Sequence, residues 1–152
     1  MTRDDWPAVE AIYAEGIATR HATFETAAPS WDEFDTGRHS EHRLVAVESG
    51  VVVGWAALSP TSTRACYAGV AEHSVYVARA ARGTGAGRAA LDAMCRAYAE
   101  RGFWKIVSRI FPENTASLRL HERCGFRVVG VYQRHGKLDG EWRDCVIVER
   151  LL

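Results

Sequence analysis

The stretch from Val75 to Leu91 limits what this chain can fold into more than any other part of it. Val75 and Val77 alternate with Tyr76 in the two-residue period of a β-strand. From Gly87 onward, Ala90, Leu91, Met94, Cys95 and Tyr98 recur at the spacing of one helical face, and Gly102 is suited to closing that helix. Between strand and helix lies Arg82-Gly83-Thr84-Gly85-Ala86-Gly87-Arg88. Its glycines let main-chain N–H groups converge with no Cβ in the way. The helix then opens with unpaired donors and the positive end of its dipole, flanked by Arg82 and Arg88. Such a turn binds phosphate or pyrophosphate. Taken alone, it also suits a purely structural strand-to-helix connection. Two phosphate fingerprints fail on spacing: the dinucleotide turn needs G-x-G-x-x-G where this chain has G-x-G-x-G, and the P-loop needs G-K-[ST] where Arg88 follows Gly87.

The chain has 152 residues, enough for one domain (1–152) with its own core. Nineteen Lys and Arg balance nineteen Asp and Glu, so no overall field favours nucleic acid or an anionic membrane surface. No apolar run reaches transmembrane length, and a charged segment follows Met1, so the expected location is the cytoplasm. Cys66, Cys95, Cys124 and Cys145 are widely spaced and form no C-x-x-C, which reads as free, mostly buried thiols. His39 and His42 could share one helical side and bind a metal, but no third ligand is evident and both read as surface residues.

Taken in order, Thr2 to Ile17 reads as an amphipathic helix with Trp6, Val9, Ile12 and Tyr13 inward and Pro7 in its first turn. A polar loop holding Phe24 follows, then a helix capped by Ser30 with Glu33 three residues on. Leu44 to Leu58 reads as two strands joined at Ser49-Gly50, and Ser59 to Ala68 as a polar loop holding Arg64 and Tyr67. After the strand 70–78, the glycine turn and its helix come a strand over 103–111, a short helix capped by Asn114, and strands 126–134 and 142–152 joined by a loop over 135–141. The order predicts a mixed α/β (α+β) domain.

Arg82-x-x-Gly85-x-Gly87 placed directly after a strand resembles the acetyl-CoA pyrophosphate loop of the GCN5-related N-acetyltransferase (GNAT) superfamily. The helix motif Asn114-x-x-Ser117-x-x-Leu120-His121-x-x-x-Gly125-Phe126 resembles that superfamily's Asn-x-x-Ser helix. Glu72-His73-Ser74-Val75-Tyr76-Val77, with Arg64 and Tyr67 upstream, is similar to its phosphinothricin acetyltransferase branch. The resemblance implies a central mixed, mostly antiparallel sheet flanked by helices. Family members usually have a short strand before the first helix. Only Thr2-Arg3 precede the two aspartates here, so that strand is expected to be absent or clipped.

The resemblance also implies roles. Arg82, Gly83, Thr84, Gly85, Ala86, Gly87 and Arg88 would hold the acetyl-CoA pyrophosphate. Val75, Tyr76 and Val77 would pair with the pantetheine and supply an oxyanion-stabilising N–H, and Asn114 and Ser117 would bond the pantetheine and phosphate region. Glu72 would be the general base, because an ammonium has no lone pair with which to attack a thioester, and His121 the acid for the departing thiolate. Read by itself, Glu72 is equally a solvent-facing or salt-bridged strand residue. Arg64 would clamp a substrate carboxylate, with Phe24, Trp55 and Tyr67 as apolar walls. Lys137-x-Asp139-Gly140 to Trp142-x-Asp144 is similar to the family's tail, with Glu141 as an extra residue.

The expected activity is acetylation of the α-amine of a small amino acid or analogue, such as phosphinothricin or methionine sulfoximine. Acetyl-CoA is the donor, no metal is needed, and the enzyme is expected to be a homodimer. The rivals are the same chemistry on another small amine or a peptide N-terminus, and a non-catalytic acyl-CoA-binding sensor. A dinucleotide-binding protein comes third, since its glycine spacing is absent.

Overall fold

In the computed structural model, which describes residues 1–41 and 43–152, six strands form one sheet in the order β1-β2-β3-β4-β6-β5. The strands are β1 (Leu44–Glu48), β2 (Val51–Pro60), β3 (Val70–Val77), β4 (Lys105–Ile110), β5 (Arg127–Leu138) and β6 (Glu141–Leu151). All neighbours are antiparallel except β3 and β4. The helices are α1 (Trp6–Ala18), α2 (Trp31–Thr36), α3 (Ala86–Ala99) and α4 (Thr115–Arg123).

The apolar stripes read from the sequence are the buried ones. In α1, Trp6, Val9, Ile12, Tyr13 and Ile17 pack with Phe34 of α2 against Trp55 and Ala57 of β2. In α3, Ala90, Leu91, Met94, Cys95 and Tyr98 pack against Leu58, Ala71, Ile106 and Val148 on the other side of the sheet. Side chains alternate across a strand, so neighbouring residues of β3 serve opposite layers. Ala71 joins the α3 layer, while Tyr76 joins the α1 layer.

Local chemistry sets the ends. Ser30 accepts the Glu33 N–H at the start of α2 while Glu33 reaches back to the Ser30 N–H, the reciprocal cap expected. Asn114 Oδ1 accepts the Ser117 N–H at 3.1 Å and opens α4. Ser49 and Gly50 make the β1–β2 turn with φ of 50° and 80°.

Three expectations need correction. The segment 135–141 is not a loop: β5 and β6 continue to a two-residue turn at Asp139 and Gly140, whose φ values of 53° and 84° match the twist of a hairpin. Thr2 to Ile17 is not one helix, since Arg3–Asp5 is a separate 3-10 turn before α1, and residues 1–5 contribute no strand. His39 lies beyond the end of α2, half-buried against Phe103 and Tyr98, while His42 falls outside the described residues. Cys66 is exposed and the other three cysteines are buried, all of them free. Burial pushes the thiols of Cys124 and Cys145 up to about 11, so both are inert packing groups at neutral pH.

Candidate active site

The site begins where β3 and β4 part. Their parallel ladder spans only Val70↔Lys105, Ala71↔Ile106 and Glu72↔Val107. Beyond Glu72, β3 keeps its pairing with β2 up to Val77↔Gly54. Among the described residues, its other edge from His73 to Val77 has no strand beside it. A cavity of about 620 Å³ fills this opening, bounded by Glu72, His73, Ser74, Val75 and Tyr76 of β3, by Ser108 and Arg109 of β4 and by Asn114, Ser117 and His121 at α4. Phe24, Arg38 and Phe111 complete the wall on the α1 and α2 side.

The glycine turn stands at the far end of this edge. Gly83 and Gly85 have φ of 83° and 99°, which side chains with a Cβ rarely adopt, and nothing lies within 4 Å of where a Cβ would be. Gly85 caps α3 without any side-chain bond, and no acidic residue sits in the first turn, so neither a side-chain cap nor a first-turn carboxylate offsets the positive end of the helix. Gly87 serves packing instead, since a Cβ there would lie 3.1 Å from Val77 Cγ2 and 3.3 Å from Leu120 Cδ2. Arg82 and Arg88 are exposed, Arg82 donating to Val77 O at 3.4 Å and Arg88 lying 3.6 Å from Asp92.

Glu72 and His121 both border the cavity from different elements. Arg109 grips both oxygens of Glu72 in a fork, Nε to Oε1 at 2.9 Å and Nη2 to Oε2. The salt bridge that the sequence leaves open is therefore present, on a residue that also lines the cavity. A carboxylate accepts about four hydrogen bonds, so the fork leaves sites for an amine or water. His121 is almost fully buried, with Nε2 2.7 Å from His73 Nε2 and Nδ1 2.7 Å from Ser117 O. Burial lowers the pKa of both rings, that of His73 to about 3.

Sequence reasoning misses His73, Arg38 and Arg109. His73 lies inside the strand motif that begins at Glu72 but carries no signal of its own there, and only the fold shows its ring meeting that of His121. Arg38 follows α2 in a polar stretch with no signal beyond its charge. Its guanidinium lies over the Phe34 ring, 5.4 Å to the centroid, and donates to Ser59 Oγ at 2.9 Å and Ser74 Oγ at 3.0 Å. Phe24 lines the cavity and packs edge-on to Phe111 with ring centroids 4.7 Å apart. Three expected substrate contacts are not cavity residues. Trp55 is fully buried behind Tyr76, stacked on it at 4.7 Å, and belongs to the α1 core. Arg64 and Tyr67 are exposed on a 3-10 turn, where the guanidinium lies 5.5 Å from the Tyr67 ring centroid.

Among the described residues, no group of three His, Cys, Asp or Glu side chains is placed to hold a metal ion. No helix there is long and apolar enough to cross a membrane.

Comparison with known proteins identifies the family and the fold. The profile of the acetyltransferase (GNAT) family matches residues 6–126. A phosphinothricin N-acetyltransferase of Alcaligenes faecalis is 36% identical, over 98% of this chain and 79% of that protein. An L-methionine sulfoximine/L-methionine sulfone acetyltransferase of Pseudomonas aeruginosa is 32% identical, over 95% of this chain and 88% of that one. In structure, a ribosomal-protein-alanine N-acetyltransferase from Brucella melitensis superposes with a TM-score of 0.89 at 30% identity, covering 100% of this chain and 97% of its own. A phosphinothricin acetyltransferase from Sinorhizobium meliloti, in complex with AcCoA, gives 0.89 at 29% identity, covering 100% and 85%. With a family model over residues 6–126 and a relative 36% identical over 98% of its length, this chain belongs to the acetyltransferase (GNAT) family.

Proposed function

We propose that this protein transfers the acetyl group of acetyl-CoA to the α-amine of a small amino acid or analogue of the phosphinothricin or methionine sulfoximine type. One observation carries the reading. The cavity opens between two parted strands and is lined by Asn114, Ser117 and His121 at α4 together with Glu72, Arg109 and Arg38, and the glycine turn follows the end of the β3 edge that bounds it.

The fit to acetyl-CoA rests on two features. The turn leaves open space where Cβ atoms would stand at Gly83 and Gly85, so main chain can approach a phosphate closely. The free edge of β3 at Val75, Tyr76 and Val77 offers main-chain groups to an extended amide-bearing chain. Acetyl-CoA supplies an acyl carbon activated as a thioester. Arg82, Arg88 and the N–H groups of residues 83–87 hold the pyrophosphate, and Asn114 and Ser117 flank the pantetheine. Glu72 takes the proton from the incoming ammonium, directly or through one water, and Arg109 fixes its carboxylate plane.

Arg38 takes the place expected of Arg64 as the clamp for the substrate carboxylate. It lines the cavity on the face that carries Ser74, and its polar partners are hydroxyls rather than a carboxylate. Phe24 walls the substrate side chain. Bidentate recognition of a carboxylate contributes about 1.5–3 kcal/mol per charged hydrogen bond. Arg38→Ala is therefore expected to raise KM for amino-acid acceptors about 10–100-fold with acetyl-CoA KM unchanged. Arg64→Ala should leave both within about twofold, since exposed substitutions away from a site rarely matter.

The enzyme works as a homodimer in the cytoplasm. Val128, Val129, Val131 and Tyr132 on the outer strand β5 are all more than half exposed. Such a patch suits a second copy.

The test is free-thiol release from acetyl-CoA across L-amino acids, phosphinothricin, methionine sulfoximine, polyamines and short peptides. Turnover with the amino-acid analogues supports the reading. A second reading, a peptide N-terminus, is favoured by the likeness to the Brucella melitensis protein; turnover with peptides alone would establish it. Tight acetyl-CoA binding with no thiol released would make the chain a sensor.

A further inference from the structure

All four nitrogens of the His73–His121 pair are engaged, and two neutral rings do not carry enough protons for the contacts they make. His73 Nδ1 lies 3.1 Å from Val107 O, and His121 Nδ1 lies 2.7 Å from Ser117 O. A carbonyl oxygen only accepts, so both Nδ1 atoms carry hydrogen. A neutral imidazole has a single N–H, which would leave both Nε2 atoms bare. Yet they stand 2.7 Å apart, a hydrogen-bond distance that two facing lone pairs do not adopt. Three contacts need three protons, and two neutral rings hold two.

A neutral pair has one arrangement that keeps the Nε2 contact, at the cost of leaving Ser117 O without the Nδ1 donor. Ser117 Oγ lies 3.3 Å from His121 Nδ1 and can turn its own hydrogen onto that nitrogen, while the His121 proton moves to Nε2. Ser117 is thus the group through which the pair passes between two states differing by one proton. Ser117 and both rings border the cavity. His121 has no ring nitrogen left over to meet a substrate directly.

We propose that His73 and His121 share one proton between their Nε2 atoms, and that the Ser117 hydroxyl, rather than the His121 ring, delivers a proton to the departing sulfur. This rests on the acetyl-transfer reading. As the carbon–sulfur bond breaks, its electron pair stays on sulfur. Sulfur takes the hydrogen of Ser117 Oγ, Oγ takes the hydrogen of His121 Nδ1, and the shared proton settles on His121 Nε2. The pair goes from one positive charge to none, the thiolate becomes a thiol, and a proton from solvent recharges the pair after product leaves. His73 is a positioning residue, holding the proton store without touching substrate.

The surroundings agree with such a store. Phe126 closes the pair from behind, its ring 5.2 Å from that of His73 and 5.1 Å from that of His121. The charged and titratable groups on the same cavity are Glu72 of β3 and Arg109 of β4, which neutralise each other, Tyr13 of α1, Glu25, Glu33 of α2, Arg38, Tyr76 of β3, His135 of β5 and Cys145 of β6. Burial disfavours charge on both rings and so works against the shared proton; the 2.7 Å Nε2 contact and the two carbonyls on the Nδ1 atoms hold it, and the pair gives it up readily. A free thiolate, with a thiol pKa of about 8.5, is the stronger base, so the transfer runs downhill.

Two measurements decide this. Nitrogen-15 NMR of histidine-labelled protein without cofactor should show a far-downfield ring hydrogen between two Nε2 atoms near neutral pH, lost in His73→Gln. Two ordinary neutral rings from pH 5 to pH 8 would overturn the shared proton. In steady-state assays, Ser117→Ala is expected to lower kcat about 100-fold, the usual worth of a general acid, a larger loss than any rise in acetyl-CoA KM from the missing pantetheine contact. His73→Gln keeps a hydrogen bond to His121 but cannot share a proton, and should lower kcat about 10–30-fold while leaving acetyl-CoA KM unchanged. Normal kcat in Ser117→Ala would overturn the relay and return the acid role to His121. If wild type releases no thiol with any acceptor, the acetyl-transfer reading and the relay fall together, while the NMR signal still decides the shared proton.

Discussion

Glu72→Gln is expected to lower kcat about 10²–10⁴-fold at neutral pH, the range over which a positioned base contributes. Glutamine has the shape of glutamate and can still accept one bond from Arg109, so the fold should be kept and acetyl-CoA KM should stay within about threefold of wild type. What is lost is the charged acceptor that takes a proton from the amine. The deficit should therefore shrink as pH rises toward the amine's own pKa, because more of the acceptor then arrives already neutral. A merely structural role for the Glu72–Arg109 pair would show the opposite pattern, with a lowered melting temperature and a deficit that does not change with pH. Arg109→Ala separates the two further, because it frees the carboxylate without removing it. It should retain more activity than Glu72→Gln if the carboxylate is the base. If Glu72→Gln turns over like wild type, the base is another cavity group, and His135 is the next to substitute.

The elements whose patterns are local are legible in the amino-acid sequence. The apolar stripe of α3, the reciprocal cap at Ser30 and Glu33 and the cap at Asn114 each depend on residues a few positions apart, and all stand where the sequence puts them. The β5–β6 hairpin reads as a loop over 135–141 because that stretch is mostly polar and holds Gly136, Asp139 and Gly140. It holds as strand because Gly136, Lys137 and Leu138 pair with Arg143, Trp142 and Glu141 across the ladder. The site is legible only in part, and the division is physical. The glycine turn advertises itself, since main chain that must approach a ligand needs residues without Cβ. His73, Arg38 and Arg109 acquire meaning only from partners 48, 36 and 37 positions away, and no local pattern encodes such distances. Trp55 misleads for the converse reason. An aromatic residue on a strand can face either layer, and only the register Trp55↔Tyr76 fixes it under that ring.

Leu91→Ala is expected to cost about 2–5 kcal/mol of stability, the range for a buried leucine whose cavity collapses only in part. Leu91 is fully buried among Leu58, Ala71, Met94 and Ile106, at the centre of the layer that holds α3 on the sheet. For a chain of this size that corresponds to a fall in melting temperature of about 5–15 °C. Leu151→Ala is the matched control, since Leu151 is 72% exposed and its loss should be worth under about 0.5 kcal/mol. The helix that Leu91 anchors also carries the glycine turn at its N-terminus, so stability and cofactor binding are coupled through it. Acetyl-CoA at a hundred times its Kd should return about 2.7 kcal/mol to the folded state. In Leu91→Ala most of that recovery should persist, because the variant empties space behind α3 without altering Gly83, Gly85 or Gly87. A melting temperature that falls as expected but fails to rise with acetyl-CoA would mean the cavity lets α3 drift. The N–H groups of its first turn would then be aimed by core packing two turns away as much as by the glycines themselves.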